Sequence, residues 1–146
     1  MEIDGSLLEG GGQILRTSVA LSALTGRPAK IFNVRARRNP PGLRLQHLAA
    51  IKTVAMLTNA EVEGLEVGSL EINFNPKTIK GGGFSFDVGS AGSITLILQA
   101  LAPVAAYAPS PIELEIVGET NTKWSPPIEY VREVLLPTLK RMGFEG

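Results

Sequence analysis

With 146 residues, 44% of them hydrophobic and 19% charged, the chain has the composition of about one globular domain and is too apolar to be disordered. It contains no cysteine, which excludes a disulfide framework and a thiolate metal site and makes a cytoplasmic setting the expectation. Net charge is zero, yet none of the 14 acids falls between Gly10 and Ala60, a stretch that holds Arg16, Arg27, Lys30, Arg35, Arg37, Arg38, Arg44 and Lys52. Such a one-signed block is either a solvated basic face or a field that attracts polyanions.

"MEID" (1–4) reads as a short strand, acidic rather than basic, so no signal peptide is expected. Gly12 to Thr25 is the first expected helix, closed by the stop signal Gly26-Arg27-Pro28. "AKIFNV" (29–34) alternates as a strand, and "RARRNPPG" is a loop because two prolines and a glycine continue neither element. Leu43 to Thr58 has helical spacing at Leu48, Ile51 and Ala55, and "EVEGLEVGSLEINFNP" gives two short strands around Gly68.

After "KGGG" the order restarts: strand "FSFDV", loop "GSAGS", helix "ITLILQALAPVAAYA", strand "SPIELEIV", loop "GETNTKWSPP" and helix "IEYVREVLLPTLKRMG". Asp4 and Asp87 are 83 residues apart, as are Pro28 and Pro111. An internal repeat of roughly 80 residues is the simplest account, with residues 1–83 as one unit and 84–146 as a second that lacks the two closing strands of the first. Both leading helices are apolar nearly all round, so they are expected between layers, and Pro137 should kink the last helix or break one turn of it. The apolar run Ile94–Ala108 is too short for a bilayer and carries Gln99 and Pro103, so no membrane partner is expected. The expected fold is α+β, two βαβα-containing units with helices on one side of each sheet.

Three glycines, Gly10–Gly12, stand at the mouth of the first helix, between Glu9 and Arg16. This is not a Walker phosphate loop, because the lysine is missing, nor a Rossmann fingerprint, because Leu15 stands where the third glycine belongs. A loop entering a helix N-terminus still offers free N–H groups and a positive dipole end, and "GSAGS" repeats the device unless both are only the shared turn of a repeated fold. The sharper cluster is "VRARRNPPGLRLQHL" (34–48). There Arg35 and Arg38 leave a strand while Gln46 and His47 occupy the first turn of the next helix. Guanidinium forks, an amide and an imidazole together suit a terminal phosphate, although a lone histidine is often structural. Glu9 reads either as a magnesium or manganese contact among phosphates or as an ion pair to Arg16. Gln99 is satisfied by backbone or reaches a ligand through its amide. One histidine without a positioned nucleophile is not a hydrolytic triad.

"DGSLLEGGGQILR", "RARRNPPGLRLQHL", "GGGFSFDVGSAGSITLILQ" and "GETNTKWSPP" resemble, in order, the motifs of RNA 3'-terminal phosphate cyclases. The resemblance runs through nearly the whole chain. It implies repeated βαβαββ units, three in all, with a small inserted domain, the fold shared with enolpyruvyl transferases. It also implies ATP-dependent conversion of an RNA 3'-phosphate to a 2',3'-cyclic phosphate through an adenylated histidine, with Mg2+ or Mn2+. Position by position, Arg35, Arg38, Gln46, His47 and Arg16 fall on the residues expected to bind the RNA 3'-phosphate. Glu9 falls near the metal and triphosphate, and Gln99 on a glutamine associated with ATP. Glu119 departs from the pattern, which has a second glycine before Thr120.

Family members are more than twice as long, so the chain resembles an N-terminal portion, with the third unit and the inserted domain absent and the nucleophilic histidine expected beyond residue 146. The fragment is therefore expected to be catalytically incomplete and to self-associate, leaving the basic 35–47 loop outside that contact. The alternative is a non-catalytic cyclase-like RNA-binding protein of ribosome assembly. Retention of Glu9, Arg35, Arg38, Gln46 and His47 together favours the enzyme.

Overall fold

Strand β1 (Glu2–Asp4), helix α1 (Gly12–Thr25) and strand β2 (Ala29–Phe32) form a parallel βαβ unit in the computed structural model, which describes residues 1–89 and 92–144. Helix α2 (Leu45–Thr58) and the strands β3 (Glu61–Glu63) and β4 (Ile72–Asn75) follow, and β4 inserts antiparallel between β2 and β3. The four-stranded order is β1-β2-β4-β3. A second, two-stranded parallel sheet pairs β5 (Gly82–Asp87) with β6 (Ile112–Val117), joined through α3 (Ile94–Ala105). Strand β5 thus begins at Gly82, two residues before the start read from sequence.

Alternation decides which face of the first sheet is covered. Ala29 and Ile31 on β2 stand opposite Phe74 and Ile72 on β4, and all four are buried beneath the helices. Burying side chains of the Ile or Phe kind stabilises by roughly 1.5–3 kcal/mol each. The other face carries Lys30, Asn73 and Asn75, with exposed pairs such as Lys30–Glu71 at 3.0 Å that add little stability. Helix α3 packs on both α1 and α2 as well as on β6, and its buried Ile97, Ala100, Leu101 and Val104 join one continuous core. The fold is α+β, and the near-uniform apolarity of α1 and α3 is explained by their packing on each other as well as on strands.

The ends of the elements follow local chemistry. Gly26 adopts φ +63° and donates to Ala23, while the Arg27 N–H donates to Ser22, a Schellman closure of α1. Asp4 accepts from the N–H of Ser6, and Asp87 accepts from the N–H of Gly89, so acids 83 residues apart build the same turn. Those bonds, backbone first and then the Ser6 hydroxyl, hold the Asp4 carboxyl below its ordinary range. The C-terminal helical stretch contains α4 (Ile128–Tyr130), a π-helical segment (Val131–Leu135) and α5 (Leu136–Arg141). The wide turn lies directly before Pro137, which has no N–H to continue the α ladder. Glu119 is exposed and has no left-handed backbone; it uses its N–H and C=O to bond Gly92 and Ile94, so that position needs no glycine. In the second glycine loop, Ser90 and Ala91 lie outside the described residues.

Candidate functional site

The loop before α1, the start of α1, the 35–38 turn and the start of α2 enclose a cleft of about 940 Å³. Arg16, Arg35, Arg38, Gln46, His47 and Glu9 all line it; Gln99 does not, and touches it only through Arg16. Glycine at position 12 permits the closest approach in this cleft. A Cβ there would sit 2.8 Å from His47 Cδ2, nearer still to Nε2, and 3.2 Å from Arg16 Nη1. The imidazole edge and the Arg16 guanidinium therefore meet at the N-terminus of α1, whose first turn has no capping side chain.

His47 is only 1% exposed. Its Nδ1 accepts the N–H of Arg44 at 3.0 Å, closing the start of α2 as a glutamate would in a capping box. Burial, and then the charges of Arg35, Arg16 and Arg44, push its pKa down from 6.5 to about 4. The ring is therefore neutral at pH 7, with its proton on Nε2. The Gln46 amide nitrogen lies 3.5 Å from that Nε2, which sets an amide beside the imidazole on the cleft. The structural and ligand-binding readings of this histidine hold together, one on each ring nitrogen.

Arg16 is 9% exposed and has no carboxylate partner among the described residues. Its Nε donates to Gln99 Oε1 at 3.1 Å, and burial lowers its proton affinity. A buried cation held only by a neutral amide is costly until an anion arrives. Gln99 and Arg16 are 83 residues apart, the separation that also relates Asp4 to Asp87, and they meet across the contact between α3 and α1.

Arg35, half-buried, and Arg38, exposed, both line the cleft while bonding the loops around it. Arg35, at φ +52°, gives Nη1 to Pro40 O (3.1 Å) and Gly42 O (3.0 Å), which braces its own loop. Arg38 donates through Nε to Glu9 O at 3.1 Å and through Nη2 to Glu9 Oε2 at 3.2 Å. The Glu9–Arg16 ion pair is thus not formed. Arg16 is anchored within a buried helix face, whereas Arg38 sits on the loop that comes down beside Glu9. No group of three or more His, Cys, Asp or Glu side chains able to hold a metal exists among the described residues. Glu9 alone, largely exposed, fits the pattern of one carboxylate plus substrate phosphates by which magnesium is commonly bound.

Sequence reasoning named Gly12 but not the His47 edge that packs against it, and it missed Leu8 and Trp124, which stand exposed on the lining of the cleft. The available signal for Trp124 was a lone tryptophan in the otherwise polar, proline-ended loop "GETNTKWSPP".

Fold and cleft together define an α+β protein with a basic cleft on which Arg16, Arg35, Arg38, Gln46 and His47 come together. The family model for RNA 3'-terminal phosphate cyclase matches residues 7–146, and the chain belongs to that family. It is 59% identical over 143 residues to an RNA 3'-terminal phosphate cyclase of Hyperthermus butylicus, covering 98% of this chain and 40% of that protein. It is 56% identical over 144 residues to the one of Pyrococcus furiosus, covering 99% and 42% respectively. The chain therefore spans about 40% of the length of the curated relatives it matches. No helix among the described residues is long and apolar enough to cross a membrane.

Proposed function

We propose that this chain carries the terminal-phosphate cleft of an ATP-dependent enzyme that converts an RNA 3'-phosphate to a 2',3'-cyclic phosphate. The observation that carries the reading is Arg16, a buried guanidinium with no carboxylate partner among the described residues, whose Nη1 comes to the place where the proton-bearing Nε2 of His47 arrives. A terminal phosphate carries up to two charges and oxygens able to accept from Arg16, His47, Gln46 and the first N–H groups of α1. An internal phosphodiester carries a single charge and two bridging substituents that the walls of the cleft would have to admit.

Charge that grows on the phosphate as the neighbouring 2'-hydroxyl approaches meets donors already in place, which is where such sites lower barriers. ATP, when bound, supplies the activation of that phosphate, and Glu9 through Mg2+ or Mn2+, together with Gln99, are the residues of this chain assigned to it. His47 acts as a donor. With Nδ1 occupied by the Arg44 N–H and Nε2 protonated, it has no free lone pair for attack, which supports placing the nucleophilic histidine elsewhere in the enzyme.

The test compares two oligoribonucleotides that differ only in a 3'-phosphate, at one fixed salt because backbone attraction varies steeply with salt. The phosphorylated end should bind at least about tenfold more tightly, a difference of about 1.4 kcal/mol. The Arg38→Ala variant should reduce that preference. Equal affinities that are also indifferent to Arg38→Ala would overturn the reading.

A further inference from the structure

We infer that Trp124 is the stacking platform for the nucleobase carried by the nucleotide whose phosphate enters the cleft. The inference rests on the phosphate reading above and extends it to the base. Trp124 lines the same cleft as Arg16, Arg38 and His47, yet its side chain is 95% exposed. Leu8, also on the cleft, is 94% exposed. Both have left-handed backbones, φ +65° at Trp124 and +50° at Leu8, a conformation that bulky side chains rarely adopt.

The turn that presents the indole is built, not loose. Ser125 Oγ donates to Thr122 O at 2.9 Å, and the Thr122 and Ser125 hydroxyls lie 2.6 Å apart. Beyond the tryptophan, Thr95 at the start of α3 donates to Pro126 O at 2.8 Å, and the Ile128 N–H bonds Thr120 O. A strained, braced turn thus holds a large, exposed aromatic ring on the cleft that Arg16, Arg35 and Arg38 also line. Cations that accept a phosphate next to a bare π face are the two halves of a nucleotide site. Stacking is sequence-tolerant because every base has a π face. Leu8 supplies a second apolar surface on the cleft. The base has two sources, the 3'-terminal nucleotide of RNA or ATP, and the chemistry is shared.

Trp124 is the chain's single tryptophan, so its fluorescence reports this position alone. The chain is titrated with a 3'-phosphorylated oligoribonucleotide, with the same oligomer made abasic at its last position, with a 3'-hydroxyl oligomer, with ATP and with inorganic phosphate. Base-bearing ligands should quench the indole, whereas inorganic phosphate and the abasic end should not. Quenching by the RNA end or by ATP identifies the source. Trp124→Ala should weaken the base-bearing ligand about tenfold and leave the abasic one unchanged, and Trp124→Phe should restore most of the loss. If the phosphorylated end is preferred over the hydroxyl end but base and abasic ligands behave alike, the Trp124 assignment fails and the phosphate site stands. If the phosphorylated end is not preferred at all, the phosphate reading fails and this inference falls with it.

Discussion

Replacing His47 with glutamine separates its two roles in the cleft. The side-chain carbonyl introduced by His47→Gln is placed to accept the Arg44 N–H as Nδ1 does, so the start of α2 keeps its closure, but the variant has nothing to titrate. In the native chain the imidazole ionises near pH 4 rather than 6.5, because it is buried beside Arg35, Arg16 and Arg44. Between those values the unfolded chain takes up a proton that the folded chain refuses. Stability contributed by the neutral ring is therefore full above about pH 6.5 and is lost as the pH falls toward 4. Each tenfold change in proton affinity is worth about 1.4 kcal/mol, so the loss between pH 7 and pH 4 is about 3 kcal/mol. Urea unfolding of both proteins at half-unit steps from pH 7.5 to 4 measures this as a difference, in which the carboxylates common to both cancel. The native curve should fall about 3 kcal/mol further than that of His47→Gln. Parallel curves would show that the imidazole is not held neutral by its surroundings, and the donor role assigned to Nε2 would lose its basis.

Other outcomes follow from the same contacts. Gly12→Ala would ordinarily favour a helix by about 1 kcal/mol, but here the methyl meets the His47 ring; it should destabilise by roughly 1–3 kcal/mol in thermal melts and weaken binding of phosphorylated ends. Gln99→Leu leaves the buried Arg16 Nε without an acceptor and should cost about 1–3 kcal/mol in chemical denaturation. Gln99→Glu instead supplies the missing negative charge, so it should fold well yet bind the terminal phosphate poorly; unchanged affinity would separate Arg16 from the site. Incubation with labelled ATP and a divalent metal should leave no covalent label on the denatured chain, and a stable label would make His47 the first residue to substitute.

Much of the fold was legible because its signals are local. Gly26-Arg27-Pro28 closes α1 through neighbours in sequence, the alternation of Ala29 to Phe32 sets one covered face, and Asp4 and Asp87 each bond two residues on. The π turn at Val131–Leu135 was foreshadowed by Pro137 only as a disturbance, since the way a chain absorbs a missing N–H depends on what packs nearby.

In the site, the residues were named from sequence and their partners were not. Glu9 pairs with Arg38, 29 residues away, because the 35–42 loop folds back over the start of α1, a placement that no spacing encodes. Arg16 and Gln99 are 83 residues apart, but their contact depends on α1 packing against α3, which is a tertiary fact. Arg35 carries a charge suited to phosphate, yet its Nη1 is taken up by Pro40 and Gly42 carbonyls. Arg16 was named from sequence beside the glycine loop, but its burial and its lack of a carboxylate partner among the described residues follow from how α1 packs.

A terminal phosphate entering between Arg16 and His47 is the central claim, and nitrogen-resolved NMR of those two side chains tests it most directly. On titration with a 3'-phosphorylated dinucleotide, the Arg16 Nε and His47 Nε2 resonances should shift together and saturate at one ligand per chain. The His47 pKa should also rise from about 4, because an anion beside the ring favours its charged form. The 3'-hydroxyl dinucleotide should do neither. Shifts confined to Arg38 and other exposed groups, with Arg16 and His47 unmoved, would show that the phosphate binds outside the buried donors and would contradict that claim.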